Sequence, residues 1–279
     1  MADLAQDPAE AGVPSKMNVT YDPEFQFHAD HYTCCETFVY AHFVLAATAK
    51  IYLDTRKAKE NYWAKYCTRP FAAFLVLVLR DTRISPNQVT IVAFLTACAA
   101  ASVMVLWQTW AGLLTSIALY QLAYIFDCVD GMLARVRGTS SPAGHLFDFL
   151  LDEIKAVVLY GAVLLRLWII EDADIYVQAG IPMLLALVAG LSLTTFTRRP
   201  EYTGPVKDSP SVPASSPSMV RRIVGLPMTL AQFVVNYPAW IFFVALADKI
   251  EIYFWVYGAV LSLYTMKTFA GVCLKLGRP

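Results

Sequence analysis

Charge is what this sequence has least of. Of 279 residues only 16% are Asp, Glu, Lys or Arg, while 57% are hydrophobic; soluble domains run at about a quarter charged and half apolar. A composition this poor in charge and rich in apolar residues excludes a disordered chain and a coiled coil. Glycine and proline number 13 and 15, too few for a collagen-like chain. The six cysteines, Cys34, Cys35, Cys67, Cys98, Cys128 and Cys273, have no disulfide-framework spacing. A stapled secreted domain is therefore excluded, and they read as reduced thiols or small packing residues. Lys plus Arg and Asp plus Glu both total 22, so no cationic excess favours a polyanion and nucleic acid is not an expected partner. Residues 1–16 contain no apolar h-region and do not read as a signal peptide.

The scarce charges are also unevenly spread. Ile84 to Phe126 is a run of 43 residues without one charged side chain, Ile175 to Thr197 a run of 23, and Ile223 to Ala247 a run of 25. A membrane-spanning helix needs about 20 predominantly apolar residues, so the longest run holds two spans, broken near Gln108 to Gly112. A third span fits Leu146 to Ile170 and a sixth Ile252 to Leu274, with Lys267 inside it. The expectation is an all-α polytopic membrane protein with six transmembrane helices. Arg56, Lys57, Lys59, Lys65, Arg69, Arg80 and Arg83 precede the first span, Arg135 and Arg137 follow the second, and Arg198, Arg199, Arg221 and Arg222 lie between the fourth and fifth. The opposite loops hold Lys249 among Glu171, Asp172, Asp174, Asp248 and Glu251. By the positive-inside rule both termini face the cytoplasm.

Three segments follow. Residues 1–56 read as a cytoplasmic extension, whose run Thr37 to Leu53 suits an interfacial or protein-packed helix. Residues 57–83 mix cations with Tyr62, Trp63, Tyr66, Phe71 and Phe74, the pattern of an amphipathic helix on the inner membrane surface. Residues 84–279 read as the six-helix transmembrane domain. His28, His31, Cys34 and Cys35 have metal-ligand residue types without the spacing of a zinc module and read as a surface-helix face. Arg166 and Lys267 read as buried cations that pair within the bundle or snorkel. Asn18-Val19-Thr20 is a glycosylation sequon by letters only.

Intramembrane carboxylates are costly and mark functional sites. Here Asp127 and Asp130 stand three apart at the end of the second span, and Asp148 and Asp152 four apart in the first turns of the third, with Glu153 adjacent. Both spacings put a pair on one helix face. A short connection through Gly138, Ser141, Pro142 and Gly144 lets the faces meet. Four carboxylates so placed repel one another unless cations intervene, and an all-oxygen set suits Mg²⁺ or Mn²⁺, two ions at about 3.5–4 Å being the arrangement that clamps a transferring phosphoryl group. Gly131 and Ala134 allow a ligand close to the backbone, or serve close helix packing. Arg135 could pair with a carboxylate or phosphate, or simply set topology.

Written out, the string is Asp127-x2-Asp130-Gly131-x2-Ala134-Arg135-x8-Gly144-x3-Asp148-x3-Asp152, eight fixed residues over 26 positions. It resembles, at every position, the signature of the CDP-alcohol phosphotransferase family. Ser85-Pro86-Asn87, opening the first span, is similar to the Pro-Asn start of many members. The resemblance implies transfer of a substituted phosphoryl group from a CDP-alcohol to a second alcohol, with release of CMP, in phospholipid biosynthesis. It implies that Asp127, Asp130, Asp148 and Asp152 bind metal, that Asp152 is also the base on the attacking hydroxyl, and that Gly131, Ala134, Arg135, Gly144 and Asn87 shape the CDP pocket. It further implies a homodimer. Family members differ in their alcohols. Some couple CDP-diacylglycerol to inositol phosphate, glycerol phosphate or serine, others move choline or ethanolamine phosphate onto diacylglycerol, and some join two inositol phosphates. The expected donor is CDP-diacylglycerol and the expected acceptor polar, phosphorylated or not, with Arg198, Arg199, Arg221 and Arg222 available to a phosphate. The choline or ethanolamine reaction is the alternative within the family. The alternative outside it is a divalent-cation transporter, which would show broken helices near the midplane.

Overall fold

The computed structural model describes residues 32–56, 62–203 and 237–277. Among the described residues every regular element is helical. The chain divides into two units, residues 1–44 and 45–279. Of the first, the structure describes the start of α1 (Tyr32–Asp54). In the second, the rest of α1 is followed by a π-helical turn (Ala64–Thr68) that runs into α2 (Arg69–Leu79). The wide turn ends just before Pro70, which has no N–H to continue the ordinary ladder. Then come α3 (Pro86–Leu106), α4 (Trp110–Val136), α5 (Pro142–Glu171), α6 (Asp174–Thr197), the short α7 (Pro200–Thr203), α8 (Tyr237–Leu246) and α9 (Ile250–Leu276).

Helix starts follow local chemistry. Ser85 caps α3 by accepting from the Gln88 backbone, while the Gln88 side chain accepts from Ser85 N–H at 2.8 Å, a capping box with Pro86 in the first turn. Thr109 caps α4 and Ser141 caps α5, the latter again followed by proline. Gly138 completes the α4–α5 turn at φ +64°, where a side chain would be strained.

Four helices, α3, α4, α6 and α9, are long and apolar enough to cross a membrane, and the protein is an integral membrane protein. The predicted break in the 43-residue run falls between α3 and α4. The predicted third span lies within α5, a single helix of 30 residues that also carries Asp148, Asp152, Glu153, Lys155 and Arg166 and so fails an apolar criterion. Of the predicted fifth span only Tyr237–Leu246 is described, and residues 223–236 lie outside the described residues, as do His28, His31, Asn18, Arg221 and Arg222.

Two apolar clusters hold the second unit. The larger joins α3, α4, α5, α6, α8 and α9 through residues such as Met104, Leu113, Leu159, Val163, Ile241 and Phe254. Small residues bring these helices close, as helix packing in lipid requires. A Cβ on Gly180 would run into Leu164, and one on Gly258 into Tyr160 and Met183. The smaller cluster packs Ile51 of α1 and Ala72, Ala73 and Val76 of α2 against Val129, Met132 and Leu133 of α4. Of α1, Ile51 is buried in this cluster, while Phe43, Leu45 and Leu53 are exposed. The 57–83 segment is tied down as well: Trp63 Nε1 donates to Gln121 Oε1 at 3.1 Å and its ring meets Phe242 and Phe243.

The two cations expected to be buried behave differently. Lys267 is exposed on α9, because its position falls on a face no other described helix covers. Arg166 is 3% exposed, and its hydrogen bonds go to backbone carbonyls. Its guanidinium donates to the carbonyls of Met104, Trp107, Gln108 and Thr109 at 2.9–3.1 Å, satisfying the open end of α3 and the turn into α4. Arg137 does the same at the other end of the bundle, donating to Leu79, Arg80, Thr82 and Ile84. Arg166→Met is expected to cost about 2 kcal/mol, because it leaves buried carbonyls without donors; the check is a lowered thermal midpoint in detergent.

Candidate active site

Packing decides which way the signature faces. Val129, Met132 and Leu133 are buried against α2, so the alternate positions of α4, Asp127, Asp130, Gly131 and Ala134, turn toward α3 and α5. Ser141 starts α5 close by, and Gly144 and Asp148 come round on its facing side. The result is an open cleft lined by Ser85, Asn87, Asp130, Gly131, Ala134 and Gly144, with Thr90, His145 and Asp148 also on its wall. The glycines are what keep it open. A Cβ on Gly131 would meet only the Arg135 guanidinium, at 3.4 Å, and one on Gly144 would lie 3.2 Å from Ser141 Oγ and 3.6 Å from Asn87 Oδ1.

One carboxylate oxygen each from Asp127, Asp148 and Asp152 lie within 4.8 Å of one another. Asp130 stands outside this triplet, 3% exposed, on the wall of the cleft. Asp148 belongs to both groupings. A divalent cation would suit this acidic set: beside the triplet, Asp130 Oδ2 is buried without a hydrogen-bond donor among the described residues, and a buried carboxylate oxygen in that state is one a hard cation can satisfy.

Four of the five residues expected to shape the pocket, Gly131, Ala134, Gly144 and Asn87, line the cleft. Arg135 does not. Its guanidinium lies over Gly131 and its side chain lines a separate recess with Lys50, Asp54, Thr55 and Arg80. The α4 helix turns by about 100° per residue, which carries position 135 round toward α1 and α2. Glu153 also points away, accepting from Thr195 Oγ1 at 3.2 Å. Two residues escaped sequence reasoning. Lys155, 4% exposed, is ion-paired to both Asp127 and Asp152; its spacing of three from Asp152 was the available signal. Tyr120, seven residues before Asp127, is buried and donates to the Lys155 carbonyl at 2.8 Å.

A model of the CDP-alcohol phosphatidyltransferase family matches residues 83–257, which include the cleft and every signature residue. The chain belongs to the CDP-alcohol phosphatidyltransferase family. It is thus a member of a transferase family. Among its relatives is the bifunctional IPC transferase and DIPP synthase of Rubrobacter xylanophilus, 35% identical over 120 residues, a stretch that is 43% of this chain but only 25% of that protein. Another is the phosphatidylinositol phosphate synthase of Corynebacterium glutamicum, 28% identical over 168 residues, 60% of this chain and 71% of that protein. Among solved structures, the phosphatidylinositol phosphate synthase of Mycobacterium tuberculosis with CDP-DAG bound superposes with a TM-score of 0.46 at 19% identity, over 74% of this chain and 94% of that one.

Proposed function

We propose that this protein transfers a phosphatidyl group from CDP-diacylglycerol to the hydroxyl of a polar, phosphorylated acceptor such as inositol phosphate or glycerol phosphate, releasing CMP. The observation that carries this reading is the convergence of Asp127, Asp148 and Asp152 within 4.8 Å beside a glycine-walled cleft. The name of one sequence relative, a phosphatidylinositol phosphate synthase, supports an inositol phosphate acceptor.

In this reading Asp127, Asp130, Asp148 and Asp152 hold one or two divalent cations, Mg²⁺ or Mn²⁺, which neutralise the diphosphate and stabilise departing CMP when bound. Gly131 and Gly144 admit the cytidine diphosphate because neither places a side chain in the cleft. Ala134 and Asn87 complete its wall, and Arg135 acts from behind Gly131 by supporting that backbone. Asp152, whose side chain is 47% exposed, accepts the proton from the acceptor hydroxyl. The hydroxyl oxygen then forms a bond to the phosphorus that carries diacylglycerol. The bond from that phosphorus to the bridging oxygen breaks, and the electron pair leaves with CMP. The active site faces the cytoplasm, where CMP and a soluble acceptor exchange, and the enzyme works as a homodimer with six spans.

The acceptor phosphate is placed near the α6 terminus. Arg198, which caps α6, lies with its guanidinium 4.5 Å from the Phe149 ring centroid, and Phe149 follows Asp148. Arg198→Ala is expected to raise KM for a phosphorylated acceptor by about tenfold, the loss of one charge-assisted contact, with donor KM unchanged. The test supplies CDP-diacylglycerol with inositol phosphate, glycerol phosphate, inositol or serine, and CDP-choline with diacylglycerol, and identifies lipid products by mass. A phosphatidylated phosphate ester is expected. Product only from CDP-choline, or only from unphosphorylated acceptors, would overturn the assignment.

A further inference from the structure

Lys155 has no part in the chemistry above, yet it sits inside the acidic cluster. Its Nζ donates to Asp152 Oδ1 at 2.6 Å and is ion-paired with Asp127 Oδ1. The two acids belong to different helices, so one ammonium ties α4 to α5 at this level. Tyr120 fixes the lysine's backbone through its carbonyl. Neighbouring cations are engaged elsewhere, Arg137 on four carbonyls and Arg135 over Gly131.

We infer that Lys155 is a displaceable counter-ion built into the metal site, holding Asp127 and Asp152 together before a divalent cation binds and competing with that cation for the same two carboxylates. The inference rests on the metal-binding reading of those acids. A carboxylate oxygen bonded to an ammonium at 2.6 Å cannot also take Mg²⁺ at about 2.1 Å without setting two cations within a few ångströms of each other. Loading therefore requires the ammonium to withdraw. Lysine suits such a role: its charge is compact and its four-carbon stem is flexible, whereas an arginine fork would grip both carboxylates. Lys155 is thus a positioning residue whose presence lowers the affinity of the site for metal and keeps it assembled when metal is scarce.

The test uses the full chain in lipid nanodiscs and Mn²⁺ alone, with free Mn²⁺ measured by electron paramagnetic resonance. Lys155→Met is expected to bind Mn²⁺ roughly tenfold more tightly or better, because one unit charge within about 4 Å is removed. Its metal-free thermal midpoint falls, and the rise on adding Mn²⁺ grows. Lys155→Arg is expected to bind more weakly than wild type. A purely structural lysine would lower the midpoint without tightening Mn²⁺ binding, and unchanged or weaker binding in Lys155→Met would overturn the inference. Should Lys155→Met not fold, Lys155→Arg decides, and binding equal to or tighter than wild type would count against it. Asp148→Asn separates the two levels. If it leaves Mn²⁺ binding intact, or if neither wild type nor Lys155→Met binds Mn²⁺, the metal site itself is refuted and the inference goes with it.

Discussion

Asp152→Asn lowers kcat by about a thousandfold, within the range that loss of a positioned general base produces. The substitution keeps size and shape but removes the ability to take a proton. Asp152 is the signature acid best placed for that role, because its side chain is 47% exposed while that of Asp127 is 17% exposed. The acceptor hydroxyl can therefore approach it from solvent. The fold survives, since Lys155 retains its pair with Asp127 and α5 keeps its Tyr120 anchor. Donor KM is expected to rise as well, because Asp152 also belongs to the set read as holding the cation that neutralises the diphosphate, although the cleft wall on α3 and α4 is untouched. Steady-state CMP release, with donor and acceptor varied separately, measures the effect. A kcat within tenfold of wild type would remove Asp152 from the proton-transfer role.

Gly131→Leu is expected to lower kcat/KM for the CDP-alcohol by about a hundredfold, the size of effect that misplacing a bound substrate by about 1 Å produces. Gly131 is the sharper of the two glycine tests. Gly131 lines the cleft, and its added Cβ would meet only the flexible end of Arg135, at 3.4 Å, so a long side chain there crowds the cleft while straining little else. At Gly144 the added carbon would press on Ser141, the residue that caps α5, and stability would change along with binding. For Gly131→Leu, therefore, activity falls while the thermal midpoint stays near wild type. A parallel loss of midpoint and activity would mean that Gly131 serves helix packing rather than the donor.

Much of this site was legible in the sequence because its determinants are local. Carboxylate spacings of three and four define faces of single helices, and Ser85-Pro86, Thr109 and Ser141-Pro142 announce the helix starts that set those faces. Charge-free runs marked α3, α4 and α6 for the same reason, and α9 was legible as an apolar stretch despite Lys267. What sequence reasoning could not supply were partners chosen by tertiary packing. Arg166 read as a cation that pairs within the bundle or snorkels, and its partners are carbonyls about 60 positions earlier in the chain. Lys155 drew no reading from the sequence, because nothing local reveals that Asp127 arrives on its other side. Arg135 was grouped with the pocket by its place in the signature, and the helical turn carries it into a different recess. For Arg166 and Lys155 the deciding contact reaches a different helix or turn.

The most direct test of the account is CMP release from CDP-diacylglycerol by the purified protein, measured after removal of divalent ions and again after their return. No release is expected in the presence of chelator, full recovery with Mg²⁺ or Mn²⁺, and no recovery in Asp127→Asn, Asp130→Asn or Asp148→Asn. Release that persists without divalent ions, or that survives those three substitutions, would contradict it.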